Sequence, residues 1–166
     1  TTPGRPAHEV LPALLEEMVQ KIPFTKTMRW SNPGVRLARP VHWILALFGA
    51  DVLPVTFGDI TSGRVTYGNR FMARKPLEIA DPEAYEQTLE KAYVIPDLDK
   101  RKQVIWSTLE DEAKKIGAEI RDKDLLDEVA NLLEYPHPVI GTFDEDYLKV
   151  PGEVLVPAAD PAALAE

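Results

Sequence analysis

The chain has 166 residues, a net charge of −8, 45% hydrophobic residues and no cysteine, which is enough for one ordinary domain with a core of its own. The lack of cysteine excludes disulfide frameworks, thiolate zinc sites and cysteine nucleophiles, and fits a reducing compartment, with the cytoplasm as the default. No apolar run reaches the roughly 20 residues of a membrane helix, the longest being residues 41–49.

The opening residues, Thr1-Thr2-Pro3-Gly4-Arg5-Pro6, lack an initiator Met and the apolar stretch of a secretory signal, and read as a start inside a longer protein. Charge is unevenly spread. Residues 1–76 carry ten Lys/Arg against five Asp/Glu, and residues 77–166 carry nine against twenty-two, so that +5 and −13 make up the net −8. An acidic whole argues against indiscriminate nucleic-acid binding, whereas a basic half leaves room for a local phosphate-facing patch. Solvated like-charge faces would give the same counts.

Val10, Leu11, Leu14, Leu15, Met18 and Ile22 recur at helical spacing, so a helix is expected over 11–22, with Pro12 in its first turn and Pro23 at its end. Its apolar side needs a partner. Residues 23–39 read as irregular, with Ser31-Asn32-Pro33-Gly34 a turn cluster. Lys26, Arg29, Arg36 and Arg39 lie on or beside it, placed to meet an anionic partner. For Arg29, and more so for Arg39, guanidinium groups buried against carboxylates or carbonyls are the competing reading.

The apolar run 41–48 is expected to be a central strand covered on both faces, with 49–51 turning into a second strand over 52–57 that Pro54 marks as an edge or a bulge. His42 beside Trp43 reads as a core histidine, because no serine, carboxylate or second histidine lies at a spacing that would make a site with it. Residues 59–71 are expected to pair as strands, with turns at Ser62-Gly63 and Gly68-Asn69. Arg64, Arg70, Arg74 and Lys75 crowd this region, interleaved with Tyr67, Phe71 and Met72. Aromatics among cations suit RNA, and they suit equally a strand with one buried and one wet face. No P-loop or dinucleotide fingerprint is present in the sequence.

Residues 77–79 read as a short strand. Asp81-Pro82 caps a helix over 83–92 with Tyr85 and Leu89 inward, and 93–95 reads as a strand. Asp97 caps the longest helix, with Leu98, Ile105, Leu109 and Ile116 on one face and Gly117 as its stop. Asp122 or Asp124 caps a further helix with Leu125, Leu126, Val129, Leu132 and Leu133 inward. Asp127 and Glu128 diverge by about 100° around that helix, so with Glu134 they read as a solvated face and not as a metal or acid-base cluster. Residues 139–143 read as a last strand, 144–146 as an acidic turn without EF-hand spacing, and 156–166 as a tail or linker. The class expected is α+β, a mixed and largely antiparallel sheet with helices packed on it, in a single domain over 1–155.

Met28-Arg29-Trp30, Arg39-Pro40-Val41-His42-Trp43, Leu47-Phe48-Gly49, Thr66-Tyr67-Gly68-Asn69-Arg70-Phe71 and the run from Leu125 to Pro136 occur in that order. Together they make the chain, from about Glu9 to Leu155, resemble the beta subunit of bacterial heterotetrameric glycyl-tRNA synthetase. The resemblance implies a fold similar to the accessory domain of phenylalanyl-tRNA synthetase beta chains. It implies an alpha subunit that activates glycine with ATP and Mg, and a beta subunit that binds tRNA(Gly) and is needed for charging. This chain shows no nucleophile-base pair, metal cluster or nucleotide loop, and is expected to form no adenylate by itself.

Three roles are open to such a chain. The first is tRNA handling, with Lys26, Arg29, Arg36, Arg64, Arg70, Arg74 and Lys75 as phosphate contacts. The second is a structural module that docks the alpha subunit or other domains of the beta subunit without touching RNA. The third is a hydrolytic editing module, disfavoured because a site selecting the smallest amino acid excludes larger ones sterically.

Overall fold

A computed structural model describes residues 4–31, 34–120 and 125–151, arranged as two compact units, 1–94 and 95–166. The expected cap at Asp122 or Asp124, the middle of the 31–34 turn and the 156–166 tail lie outside the described residues.

The first unit opens with α1 (Ala7–Lys21). It starts a turn earlier than the sequence pattern implies, so Pro12 sits in the helix interior. The early start is helped by Glu9 in the first turn, favoured by the helix dipole. The missing N–H at Pro12 falls near an exposed end, where water can replace its bond. The helix is tied to the sheet region by the Glu16 carboxylate, which accepts from the Thr56 N–H at 2.7 Å.

Short antiparallel ladders follow. β1 (Met28–Trp30) pairs with β2 (Val35–Leu37), and β3 (Leu47–Phe48) with β4 (Asp51–Val52). β5 (Thr56–Phe57) pairs with β6 (Ile60–Thr61), and β7 (Val65–Tyr67) with β8 (Pro76–Glu78). The β3-β4 and β5-β6 turns each place a glycine in the left-handed region, Gly49 at φ 58° and Gly58 at φ 67°, as tight hairpins require. Backbone bonds stitch the last three ladders together. Ala46 N–H donates to Gly63 O at 3.3 Å, Gly63 N–H to Ile44 O at 2.9 Å, and Leu53 N–H to Ala46 O at 3.0 Å, with a parallel bridge at Leu45 and Gly63.

Pro54 breaks the strand between β4 and β5, in keeping with its missing donor. The Ser62 hydroxyl spans the break, donating to Leu53 O at 2.5 Å and accepting from Val55 N–H at 2.8 Å. Leu53, Val55, Phe57, Thr66, Ile79, Leu89 and Ala92 form the buried interior of this unit.

The run 41–48 is therefore not a central strand covered on both faces. Residues 41–44 carry no ladder and His42 and Trp43 are exposed; His42 is no core histidine. Residues 59–71 do not pair with one another either: β6 returns to β5, and β7 to β8.

After β8, Asp81 accepts from Glu83 N–H at 2.9 Å and caps a 3-10 turn, Pro82–Ala84, that runs into α2 (Tyr85–Lys91). In place of the expected strand over 93–95, α2 ends in a Schellman closure. Tyr93 N–H donates to Glu90 O, Val94 N–H to Leu89 O, and Tyr93 takes φ 59°.

The second unit is built on α3 (Leu98–Ile116) and α4 (Leu125–Leu132). Asp97 accepts from Lys100 N–H at 2.7 Å and Gly117 closes α3 at φ 67°. Between the helices Ile105 and Ala130 are buried; Leu109 and Ile116 are exposed, and Leu132, expected inward, is exposed as well. The Arg101 guanidinium donates to Ala130 O at 2.7 Å and Ile95 O at 2.5 Å, capping a carbonyl that the end of α4 leaves unpaired. Lys102 pairs with Asp127 at 2.8 Å. Residues 139–143 form no strand, and Val139 is 83% exposed. Asp144 instead caps a 3-10 turn, Glu145–Lys149. Overall class is thus α+β, with small antiparallel ladders and helices.

Candidate nucleic-acid interface

The loop between β7 and β8 is held tightly by its own backbone. Asn69 N–H donates to Ala92 O at 2.9 Å, and Ala73 N–H returns to Asn69 O at 2.8 Å. The Asn69 side-chain oxygen accepts from Phe71 N–H at 3.1 Å and Met72 N–H at 3.2 Å, an Asx turn that fixes the next residues outward. Gly68 lies so near α2's end that a Cβ there would stand 2.4 Å from Ala92 Cβ and 2.6 Å from Ala92 O. The glycine in this stretch is required by that approach, not by a hairpin turn.

The result is a rigid turn that presents Arg70, Phe71, Met72, Arg74 and Lys75 to solvent. Trp43, Tyr67, Gly68, Arg70, Phe71, Ala73 and Arg74 line an open recess of about 500 Å³. Trp43 is fixed there by its indole N–H, which donates to the Thr66 hydroxyl at 3.2 Å, and by Tyr67, whose ring centre is 4.8 Å away. The Arg70 guanidinium rides over Phe71 at 5.1 Å, and Phe71 is 70% exposed. Among the described residues no carboxylate lies within ion-pairing distance of Arg70, Arg74 or Lys75.

A second cationic group stands on the first hairpin. Arg29 and Arg36 face each other directly across β1 and β2, both exposed, an arrangement that destabilises a ladder unless an anion intervenes. Among the described residues Arg36 reaches only the Thr27 hydroxyl, at 3.4 Å, and the Arg29 stem runs beside Gly34. Lys26 is exposed just before β1, and Arg39, for which a buried fork was the competing reading, is exposed too. Arg64 differs from the others. Its guanidinium donates to Ala50 O at 3.0 Å and lies 4.0 Å from Glu78, so it clasps the β3-β4 turn. The seven basic residues thus sort into Arg70, Arg74 and Lys75 on one loop, Lys26, Arg29 and Arg36 at one hairpin, and Arg64 within the fold.

Trp43 is the member of the recess that sequence reasoning placed elsewhere, in a covered strand. Its neighbour His42 shares the ring contact, at 6.5 Å between centres, but among the described residues it makes no hydrogen bond or ion pair with a carboxylate, serine or second histidine.

A family model described as the glycyl-tRNA synthetase beta subunit matches residues 1–160. The chain belongs to the glycyl-tRNA synthetase beta subunit family. It is 47% identical over 154 residues to the glycine-tRNA ligase beta subunit of Myxococcus xanthus, a match that covers 92% of this chain and 22% of that protein. Those of Syntrophotalea carbinolica and Geobacter sulfurreducens are 46% and 47% identical over the same spans. The chain therefore spans about a fifth of the length of these curated relatives. No helix among the described residues is long and apolar enough to cross a membrane.

Proposed function

We propose that this chain is a tRNA-handling part of a glycyl-tRNA synthetase beta subunit, which supports ATP-dependent charging of tRNA(Gly) by the alpha subunit and makes no adenylate itself. The observation that carries this reading is the β7-β8 loop. A turn locked by Asn69 holds two arginines and a lysine, without ion-pair partners among the described residues, around exposed aromatic rings, the combination that a phosphate-and-base ligand requires. Arg29 and Arg36 add a second pair of exposed cations, in register across β1 and β2. Arg64 is left out of the binding set because its guanidinium is engaged by Ala50 and Glu78. The test is a filter-binding titration of tRNA against the intact alpha-beta enzyme at two salt concentrations, with and without Arg29→Ala/Arg36→Ala. Weaker binding and a shallower salt dependence are expected, and identical curves would remove the hairpin from the interface.

A second reading has its own support. On α1, Leu14 is 52% and Met18 56% exposed, on a face that a docking module would cover with another domain or the alpha subunit. The two readings concern different surfaces and are separable: substitutions on α1 would weaken assembly, and substitutions on the β7-β8 loop would weaken RNA binding.

A further inference from the structure

The recess beside the β7-β8 loop has a composition that discriminates between kinds of RNA. Trp43, Tyr67 and Phe71 contribute three aromatic rings to its lining, Gly68 and Ala73 complete it with small residues, and Arg70 and Arg74 add two cations. A paired helix offers a protein its phosphates, its 2'-hydroxyls and the edges of its bases, while the base faces are taken up by stacking. Such a helix would use Arg70 and Arg74 and leave the aromatic rings idle. An unpaired nucleotide offers a free π-face together with its phosphate, and would use both.

The geometry of the rings favours the second case. Trp43 is anchored by the Thr66 hydroxyl and braced by Tyr67 at an interplanar angle of 60°, so its exposed face is a fixed platform that costs little entropy to present. Phe71 carries Arg70 on one side, and the Asx turn at Asn69 fixes its backbone. A volume of about 500 Å³ falls within the range of sites that enclose small organic groups, roughly 300–1,000 Å³, and the two cations in its lining supply the charge complement to a backbone.

Resting on the tRNA-handling reading above, we infer that this recess takes an unpaired nucleotide of RNA, its base stacked against Trp43 and Phe71 and its flanking phosphates held by Arg70 and Arg74, and that it does not read a helical stem. The binding is non-covalent and sequence-tolerant, since every base has a face to stack.

The experiment uses the intact enzyme with three RNA probes: a short single-stranded RNA, the same strand in a blunt duplex, and the single strand with abasic positions. Binding is followed for the parent, for Phe71→Ala and for Arg70→Ala/Arg74→Ala. Phe71 is 70% exposed, so its removal is expected to leave the fold intact, which a thermal melt checks. The expected result is that the parent prefers the base-bearing single strand, and that Phe71→Ala lowers this affinity roughly 5-fold or more, as removal of one stacking partner does, with an unchanged salt slope and no change for the duplex or abasic probes. Equal affinity for all three probes, with Phe71→Ala without effect but Arg70→Ala/Arg74→Ala still weakening each, would overturn the unpaired-nucleotide site and leave RNA contact standing. Binding that is indifferent to both variants would overturn the site and the RNA reading beneath it together.

Discussion

Gly68→Ala tests how the β7-β8 loop is built. The added methyl would stand 2.4 Å from Ala92 Cβ, 2.6 Å from Ala92 O and 3.2 Å from Ala73 Cβ, whereas carbon atoms pack at about 3.5–4.0 Å. Ala92 is buried and its carbonyl accepts from Asn69 N–H at 2.9 Å, so neither neighbour can yield as a flexible side-chain tip would. Relief requires the loop and the end of α2 to separate by about 1 Å, at the expense of that hydrogen bond. Overpacking of this kind costs about 1–3 kcal/mol. For a unit of this size each kcal/mol lowers the midpoint by about 4–8 °C, so a fall of at least about 4 °C is expected in a thermal melt followed by circular dichroism. Gly63→Ala is the matched control. Nothing stands within 4 Å of its Cβ position and its φ is not left-handed, so stability should change by no more than about 1 kcal/mol, with a gain expected in sign. Gly68→Ala melting with the parent would refute the close approach of loop and helix on which the presentation of Arg70, Phe71 and Arg74 rests.

Arg64→Ala should cost about 0.5–1 kcal/mol in the same melt, a value kept low because the guanidinium is partly exposed, and should leave the salt dependence of tRNA binding unchanged; a shallower slope would return Arg64 to the interface. Arg101→Leu strips two carbonyls, Ala130 O and Ile95 O, of a charged donor, and should destabilise the α3-α4 unit by about 1–3 kcal/mol, seen as an earlier fall of the helical signal; an unchanged melt would mean that those carbonyls find other donors. Leu14→Glu together with Met18→Glu should alter the chain's own stability by no more than about 0.5 kcal/mol, because both side chains are largely exposed. If α1 docks onto the rest of the enzyme, the same pair should reduce co-purification with the alpha subunit or with the remaining domains, and normal assembly would argue against that role.

Where a local rule was sufficient, the sequence was legible. Asp97 with Gly117 bounded α3 correctly because both caps act within one turn of backbone, and Asp81-Pro82 worked for the same reason. Pro54 marked a break in pairing. Strands were harder, since a strand exists only by virtue of its partner. The run 41–48 and the segment 139–143 are rich in β-formers, yet only Leu47–Phe48 joins a ladder and 139–143 joins none among the described residues. Helical periodicity placed Leu132 inward by its spacing with Leu125 and Val129, but it is 85% exposed, and it lies about 200° around α4 from the buried Ala130.

The basic residues were recognisable as a set and not as a surface. Arg64 and Arg70 look alike in sequence, six positions apart among aromatics. One is engaged by a hairpin carbonyl and the other rides on Phe71, a difference fixed by which strand pairs with which. The same holds for Trp43, whose role at the recess depends on Thr66 and Tyr67 reaching it from a later strand. No spacing within residues 39–48 encodes that meeting.

The most direct trial of the central claim is the salt dependence of tRNA binding by the intact enzyme carrying Arg70→Ala and Arg74→Ala. The predicted result, at unchanged thermal stability, is lower affinity and a log-log slope shallower by roughly 0.7–0.9 for each phosphate no longer neutralised. Affinity and slope equal to those of the parent would contradict it.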